Sequence, residues 1–268
     1  MKNNSATGLP PRAASELDSS GFAAQGRTAW RRHTVAGVAL LALALAGFSL
    51  ARWQWERAAA SRARLESFAA GVADEPLAVP PADGIGARYR RIELRGRYEP
   101  RPQILLDNRV LHGAAGYEVL TPFRVAGGER VLLVNRGWLP VGADRTRLPS
   151  VDVDSAERIV AGRIDTLPRA GLALGETAVE QRTADVLVAS FPTAAELEQL
   201  LGRPTFGYQV LLDPEEADGY AREWQATGLS PERHLAYAGQ WALLAAGAAG
   251  AAVVLLARAR RGRAERRS

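Results

Sequence analysis

Two long uncharged runs enclose a middle section in which apolar and polar residues alternate. Residues 34–51 (TVAGVALLALALAGFSLA) carry no charge, and neither do residues 235–257. A hydrocarbon core of about 30 Å takes about 20 apolar residues at about 1.5 Å each, so both runs read as transmembrane helices. The stretch after the first run, RWQWERAAASRARLESFAA, is rich in helix formers and free of Gly and Pro up to Gly71. The first helix is therefore expected to continue beyond the membrane. Pro76, Pro80, Pro81, Gly84 and Gly86 then break it into a loop.

From Arg88 onward the period becomes two. RYRRIELRGRY, QILLDNRVL, GYEVLTPFRV and RVLLVNRGWLPV read as four strands joined by short Gly- or Pro-bearing connections. Gly127-Gly128 between two apolar runs is a hairpin signal. Connections this short favour an antiparallel meander, because a parallel crossover needs a dozen or more residues. Beyond a polar linker with Pro149, ERIVAGRIDTL, DVLVASF and TFGYQVLLD read as further strands. TAAELEQLL reads as a short helix, with Thr193 and Glu196 spaced for a capping box. The expected fold class is a membrane protein. Two transmembrane helices flank an extracytoplasmic, mainly antiparallel β domain of α+β, barrel-like type. The expected boundaries are a disordered basic tail (1–33), helix (34–51), β-rich domain (52–233), helix (234–257) and basic cytoplasmic tail (258–268).

Small residues at Ala242, Ala246 and Gly250, and at Gly247 and Ala251, form a small-xxx-small packing face on the second helix; Ala42 and Ala46 offer the same on the first. The first run is also compatible with a secretory signal ending at Ser49-Leu50-Ala51. It exceeds the usual signal core of about 7–15 residues, which favours a retained helix.

Charge changes the picture once it is divided. The net charge is +5, but residues 52–233 carry 23 basic and 26 acidic groups; the excess lies in the two tails. That distribution argues for membrane topology and against nucleic acid. Six arginines follow the second run (Arg258, Arg260, Arg261, Arg263, Arg266, Arg267), which places the C-terminus in the cytoplasm. Two spans return the N-terminus to the same side. There is no cysteine, so disulfides and thiol chemistry are excluded. No P-loop, nucleophile elbow or metal-ligand cluster occurs, and no enzymatic activity is expected.

Two groups carry candidate chemistry. Arg136 and Trp138 close an apolar strand in Asn135-Arg136-Gly137-Trp138. They suit a propionate or a flat ligand. Equally, Trp138 packs in a core, Gly137 makes a bend and Arg136 meets a carboxylate. The second group lies where the second helix enters the membrane. His234, Tyr237, Ala238 and Trp241 recur at i, i+3, i+4 and i+7, with Trp53, Gln54 and Trp55 at the same depth on the first helix. An aromatic belt accounts for the tryptophans and Tyr237. It accounts less well for His234, and a neutral imidazole is a common axial ligand of haem iron.

Several motifs in order resemble the Surfeit-one family, known in yeast as Shy-one. They are Leu50-Ala51-Arg52-Trp53-Gln54 with Arg57, Arg91-Ile92-Glu93-Leu94-Arg95-Gly96 with Tyr98, Gly116-Tyr117-Glu118-Val119-Leu120-Thr121-Pro122, Val134-Asn135-Arg136-Gly137-Trp138-Leu139-Pro140, and His234-Leu235-Ala236-Tyr237-Ala238-Gly239-Gln240-Trp241. Ala51 stands where the family usually has glycine, Arg233 where it has asparagine, and Ala242 where it has an aromatic residue. The resemblance implies an assembly factor for cytochrome c oxidase or a related haem-copper oxidase, in a bacterial cytoplasmic membrane. It implies transient binding of haem A with His234 as iron ligand. Tyr237, Trp241 and Trp53 would lie beside the ring, with Arg136 and Trp138 as a further contact. The implied partners are the catalytic subunit of the oxidase, haem A synthase and the lipid bilayer. A scaffold that holds an assembly intermediate without touching haem is the alternative.

Overall fold

The computed structural model describes residues 16–71, 74–169, 179–183, 185–226 and 228–264. The chain divides into two compact units, one formed by residues up to 63 together with those from 228 on, the other by residues 64–227.

The first unit is a pair of helices. Helix α1 spans Glu16–Ala70. It thus already runs through residues 16–33, where a tail was expected; residues 1–15 lie outside the described residues. The last helix of the chain, α3, spans Pro231–Ala264. Both are long and apolar enough to cross a membrane. On α1 the buried positions are Gly37, Ala44, Gly47, Ala58 and Ser61, with Gln54 half-buried between them. On α3 they are Pro231, His234, Ala238, Ala245, Ala248, Ala252 and Ala259. Both sets advance in steps of three, four and seven, the heptad spacing of a coiled-coil seam. The helices run antiparallel. A Cβ at Gly37 would lie 2.8 Å from Leu256, one at Gly47 would lie 3.1 Å from Ala245, and Ser61 donates its hydroxyl to the Leu229 carbonyl at 2.6 Å.

This seam corrects the packing face expected on α3. Ala242, Ala246, Gly247, Gly250 and Ala251 are all exposed, and a Cβ at Gly247 or Gly250 would meet nothing within 4 Å. Ala42 and Ala46 of α1 are exposed as well. Ala245, Ala248 and Ala252 make the contact instead.

The second unit is built on eight strands: β1 (Arg91–Tyr98), β2 (Gln103–Leu111), β3 (Ala114–Val125), β4 (Val131–Pro140), β5 (Glu157–Thr166), β6 (Val179–Arg182), β7 (Val186–Ala189) and β8 (Thr205–Leu212). Helix α2 (Ala194–Leu201) precedes β8. Seven of the strands lie on the alternating runs; β6, the charged sequence VEQR, has no such alternation. The β2–β3 hairpin turns on His112 and Gly113, both left-handed (φ 49 and 80), as a two-residue turn that follows strand twist requires.

The expected meander holds for β2–β3–β4 but not for β1. β1 pairs antiparallel with β5 and with the end of β3, at Gly96↔Val125 and Tyr98↔Phe123. β3 is 12 residues long, so its first half serves β2 and its last residues reach β1. The ring β1-β5-β8-β4-β3 is thereby closed, and β2, β7 and β6 extend from it. Closure removes sheet edges that would otherwise present unpaired backbone. β4 pairs with β8, and β2 with β7, in parallel.

Alternation sorts the side chains. Leu132 and Val134 of β4 point into the barrel with Ile92, Phe123, Ile164 and Val210. Leu133, between them, joins Ile104, Leu120 and Leu197 outside it. Leu197 is the buried residue of α2, whose start is held by the capping box: the Thr193 hydroxyl accepts from the Glu196 amide, and Glu196 accepts from the Thr193 amide.

Candidate functional site

The motif Asn135-Arg136-Gly137-Trp138 forms a β-bulge. Between the pairs Leu120↔Asn135 and Glu118↔Trp138, β4 has one residue more than β3. Gly137 takes the extra turn at φ 111, a conformation only glycine adopts without strain. A Cβ there would also lie 2.7 Å from the Ala221 carbonyl. The bulge sends Arg136 inward, where it is 3% exposed. Its Nε donates to the Asp218 carbonyl at 2.6 Å, and its Nη1 to the Val151 carbonyl at 3.0 Å. The rings of Tyr98 and Tyr220 lie 5.8 and 5.2 Å from the guanidinium. Burial pushes the Tyr98 hydroxyl up to about 12, against the lowering effect of Arg136 and Arg158. The carbonyls meet Arg136 where a carboxylate was the expected partner. Its cationic donors tie β4 to the 150–152 linker and to the segment after β8.

Trp138 is half-buried, donates Nε1–H to the Arg109 carbonyl at 3.2 Å, and lies over Gly116, where a Cβ would meet the indole at 2.4 Å. Asn135 bonds the carboxylate of Glu118 and the side chain of Gln209. Arg109 stands over Phe191 at 5.0 Å, and burial lowers its pKa despite Glu118 and Asp107. Arg136 and Trp138 thus belong to a polar network whose donors are spent inside the β unit. The same unit holds a cleft of about 630 Å³ lined by Phe191, Phe206 and Tyr208 among others. None of the six nominated residues lines it.

The helix unit carries the other four. His234 is 9% exposed and turned into the seam. Its Nδ1 lies 2.8 Å from Oε1 of Gln54 on α1. Trp241 is half-buried one heptad step further along the same stripe, and its carbonyl faces Gly47. Tyr237 is 46% exposed and Trp53 47%, with Arg57 placed 5.4 Å over the Trp53 ring. The expected single face of His234, Tyr237, Ala238 and Trp241 is therefore divided. The seam takes i, i+4 and i+7, and Tyr237 at i+3 falls outside it. Gln54 is the residue sequence reasoning did not nominate, although it recurs in heptad spacing with Gly47, Ala58 and Ser61.

The model of the SURF1 family matches residues 41–246, from within the first span to within the second. The chain belongs to the SURF1 family. A SURF1-like protein of Monosiga brevicollis is 33% identical over 114 residues, covering 38% of this chain and 44% of the relative. An uncharacterised SURF1-like protein of Mycobacterium tuberculosis is 30% identical over 167 residues, covering 56% and 60%. Surfeit locus protein 1 of Takifugu rubripes is 28% identical over 118 residues, covering 38% and 49%. The chain spans about half the length of the curated relatives it matches. Both the bulge motif and the His234–Gln54 pair lie inside the SURF1 match.

Proposed function

We propose that this SURF1 family member is an assembly factor for cytochrome c oxidase or a related haem-copper oxidase, and that it binds haem A for delivery to the catalytic subunit. It acts by binding, with no catalytic step of its own. The observation that carries the reading is the His234–Gln54 contact. The contact occupies Nδ1 and leaves Nε2 without a partner among the described residues, and an imidazole nitrogen is a common axial ligand of haem iron. His234 would be the ligand, and Tyr237, Trp241 and Trp53 would supply aromatic surface. Among the described residues no second histidine faces this one, which suits a carrier that must release its cargo. Arg136 and Trp138 are spent within the β unit and are weaker candidates. The topology that fits the arginine tail is a bacterial cytoplasmic membrane with both termini inside and the β unit outside. Haem A synthase is the natural donor.

The alternative is a scaffold that engages an oxidase subunit without haem. The exposed Ala242, Ala246 and Gly250 stripe of α3 favours it, because small residues let a partner helix approach closely. An absorption spectrum decides between them. The protein is co-expressed with a haem A biosynthesis system, purified in mild detergent and compared with His234→Ala. A haem spectrum lost or shifted in the variant is the expected result. No haem in either folded protein would favour the scaffold.

A further inference from the structure

Small residues fill most of the seam between α1 and α3. On α1 from Gly37 to Ala58 the buried positions are all glycine and alanine, with Gln54 half-buried among them. On α3 the buried positions after His234 are all alanine. Two polar side chains thus oppose each other in a stripe that is otherwise apolar, at 2.8 Å. A polar pair in such a seam sets register when its partners are interchangeable. Glutamine carries both an amide oxygen and an amide NH2, and here it is the oxygen that faces Nδ1.

We propose that Gln54 is a positioning residue for His234: its side-chain carbonyl holds the imidazole as the Nδ1–H tautomer and presents Nε2 as the ligating nitrogen. The ligand role rests on the reading of His234 given above; the tautomer does not. In metal sites the group that accepts from the second ring nitrogen fixes ring orientation and raises ligand basicity. Here that group is supplied by the other helix, so the ligand is formed only while α1 and α3 are paired. The adjacent contacts hold that pairing close to His234: Gly47 lets Trp241 and Ala245 approach, and Ser61 bonds the Leu229 carbonyl just before α3.

The test begins without haem. The full chain in detergent, labelled with 15N-histidine, is measured at a pH above the ordinary histidine range, and His234 is assigned by its loss in His234→Ala. The expected spectrum has a protonated Nδ1 and a bare Nε2. Gln54→Leu moves the proton to Nε2, and Gln54→Glu, which still accepts, keeps it on Nδ1. A wild-type His234 protonated at Nε2, or a tautomer indifferent to Gln54→Leu, overturns the proposal. Haem A titration then reads the consequence. Gln54→Leu weakens binding about 10–100-fold, the range for loss of such a partner, and Gln54→Glu restores it. Equal weakening by both variants means that Gln54 only packs, and overturns it too. The expected tautomers with no haem bound by wild type would sink the haem reading and leave the Gln54–His234 linkage standing.

Discussion

The two units hold their polar groups on opposite terms. In the β unit a guanidinium is buried to 3% exposure and surrounded by three carbonyls from two segments, among fully buried Tyr98, Phe123, Leu132 and Ile164. In the helix unit the buried residues are mostly alanine and glycine, and the one buried imidazole has a partner on one nitrogen and none on the other among the described residues. The first arrangement engages all three guanidinium nitrogens within the fold. The second leaves one ring nitrogen without a partner among the described residues. Arg136 is the more deeply buried of the two, and its own unit has taken up its nitrogens, which is why His234 and not Arg136 is the proposed ligand.

The strongest way to break the contrast is Arg136→Ala. Bonds to a charged donor contribute about 1.5–3 kcal/mol each, and carbonyls left bare in the core add to the cost. A loss of about 3–4 kcal/mol is expected, measured by denaturant unfolding of the full chain in detergent. The molecules that remain folded should bind haem as wild type does. Haem binding that falls while stability holds would make Arg136 a ligand contact after all.

Next comes the seam. A leucine at Gly47 collides with Ala245 and the Trp241 backbone, whereas one at Gly250 enters open space. Overpacking costs about 1–3 kcal/mol. Gly47→Leu should abolish a disulfide engineered between positions 61 and 229, and Gly250→Leu should leave that disulfide intact. If Gly250→Leu instead stops co-purification with an oxidase, the exposed stripe is a partner surface and the scaffold reading gains. Equal cross-linking by both variants would mean the helices do not pair as described.

The smallest effect is on alkaline stability. Burial raises Tyr98 and Tyr208 from 10.0 to about 12, and Tyr208 donates its hydroxyl to the Pro81 carbonyl at 3.1 Å. The unfolded chain releases these protons near 10 and the folded chain near 12. Their contribution is therefore complete below 10 and is lost as pH rises toward 12. Tyrosinate absorbance should rise in two phases in wild type. Tyr98→Phe should remove part of the late phase, and a single early phase would place both hydroxyls in water.

Much of this was legible in residue order. Short alternating or apolar runs set between Gly- and Pro-bearing connections located seven strands, β1 by alternation and β4 as a run buried on both faces. The helix at 194–201 announced itself through Thr193 and Glu196, because the cap is a local bond. The two uncharged runs followed from length alone. Gly137 was legible as a bend at the end of an apolar strand, the register shift that makes it a bulge was not, and its neighbour Arg136 could be named without its partners being known.

Partners were what the sequence left open. Alternation says which residues share a face and nothing about which strand lies alongside, so β1 turning from β2 to meet β5 and the end of β3 had to come from the closed barrel. Helix α3 is apolar on every side between Gln240 and Arg258, so no amphipathic stripe told which face meets α1. Close backbone approach at Gly37 and Gly47 selected Ala245, Ala248 and Ala252 over the equally small Ala242, Ala246 and Gly250. The same choice turned His234 inward and Tyr237 outward. It also set Gln54, 180 residues away in the chain, against the imidazole.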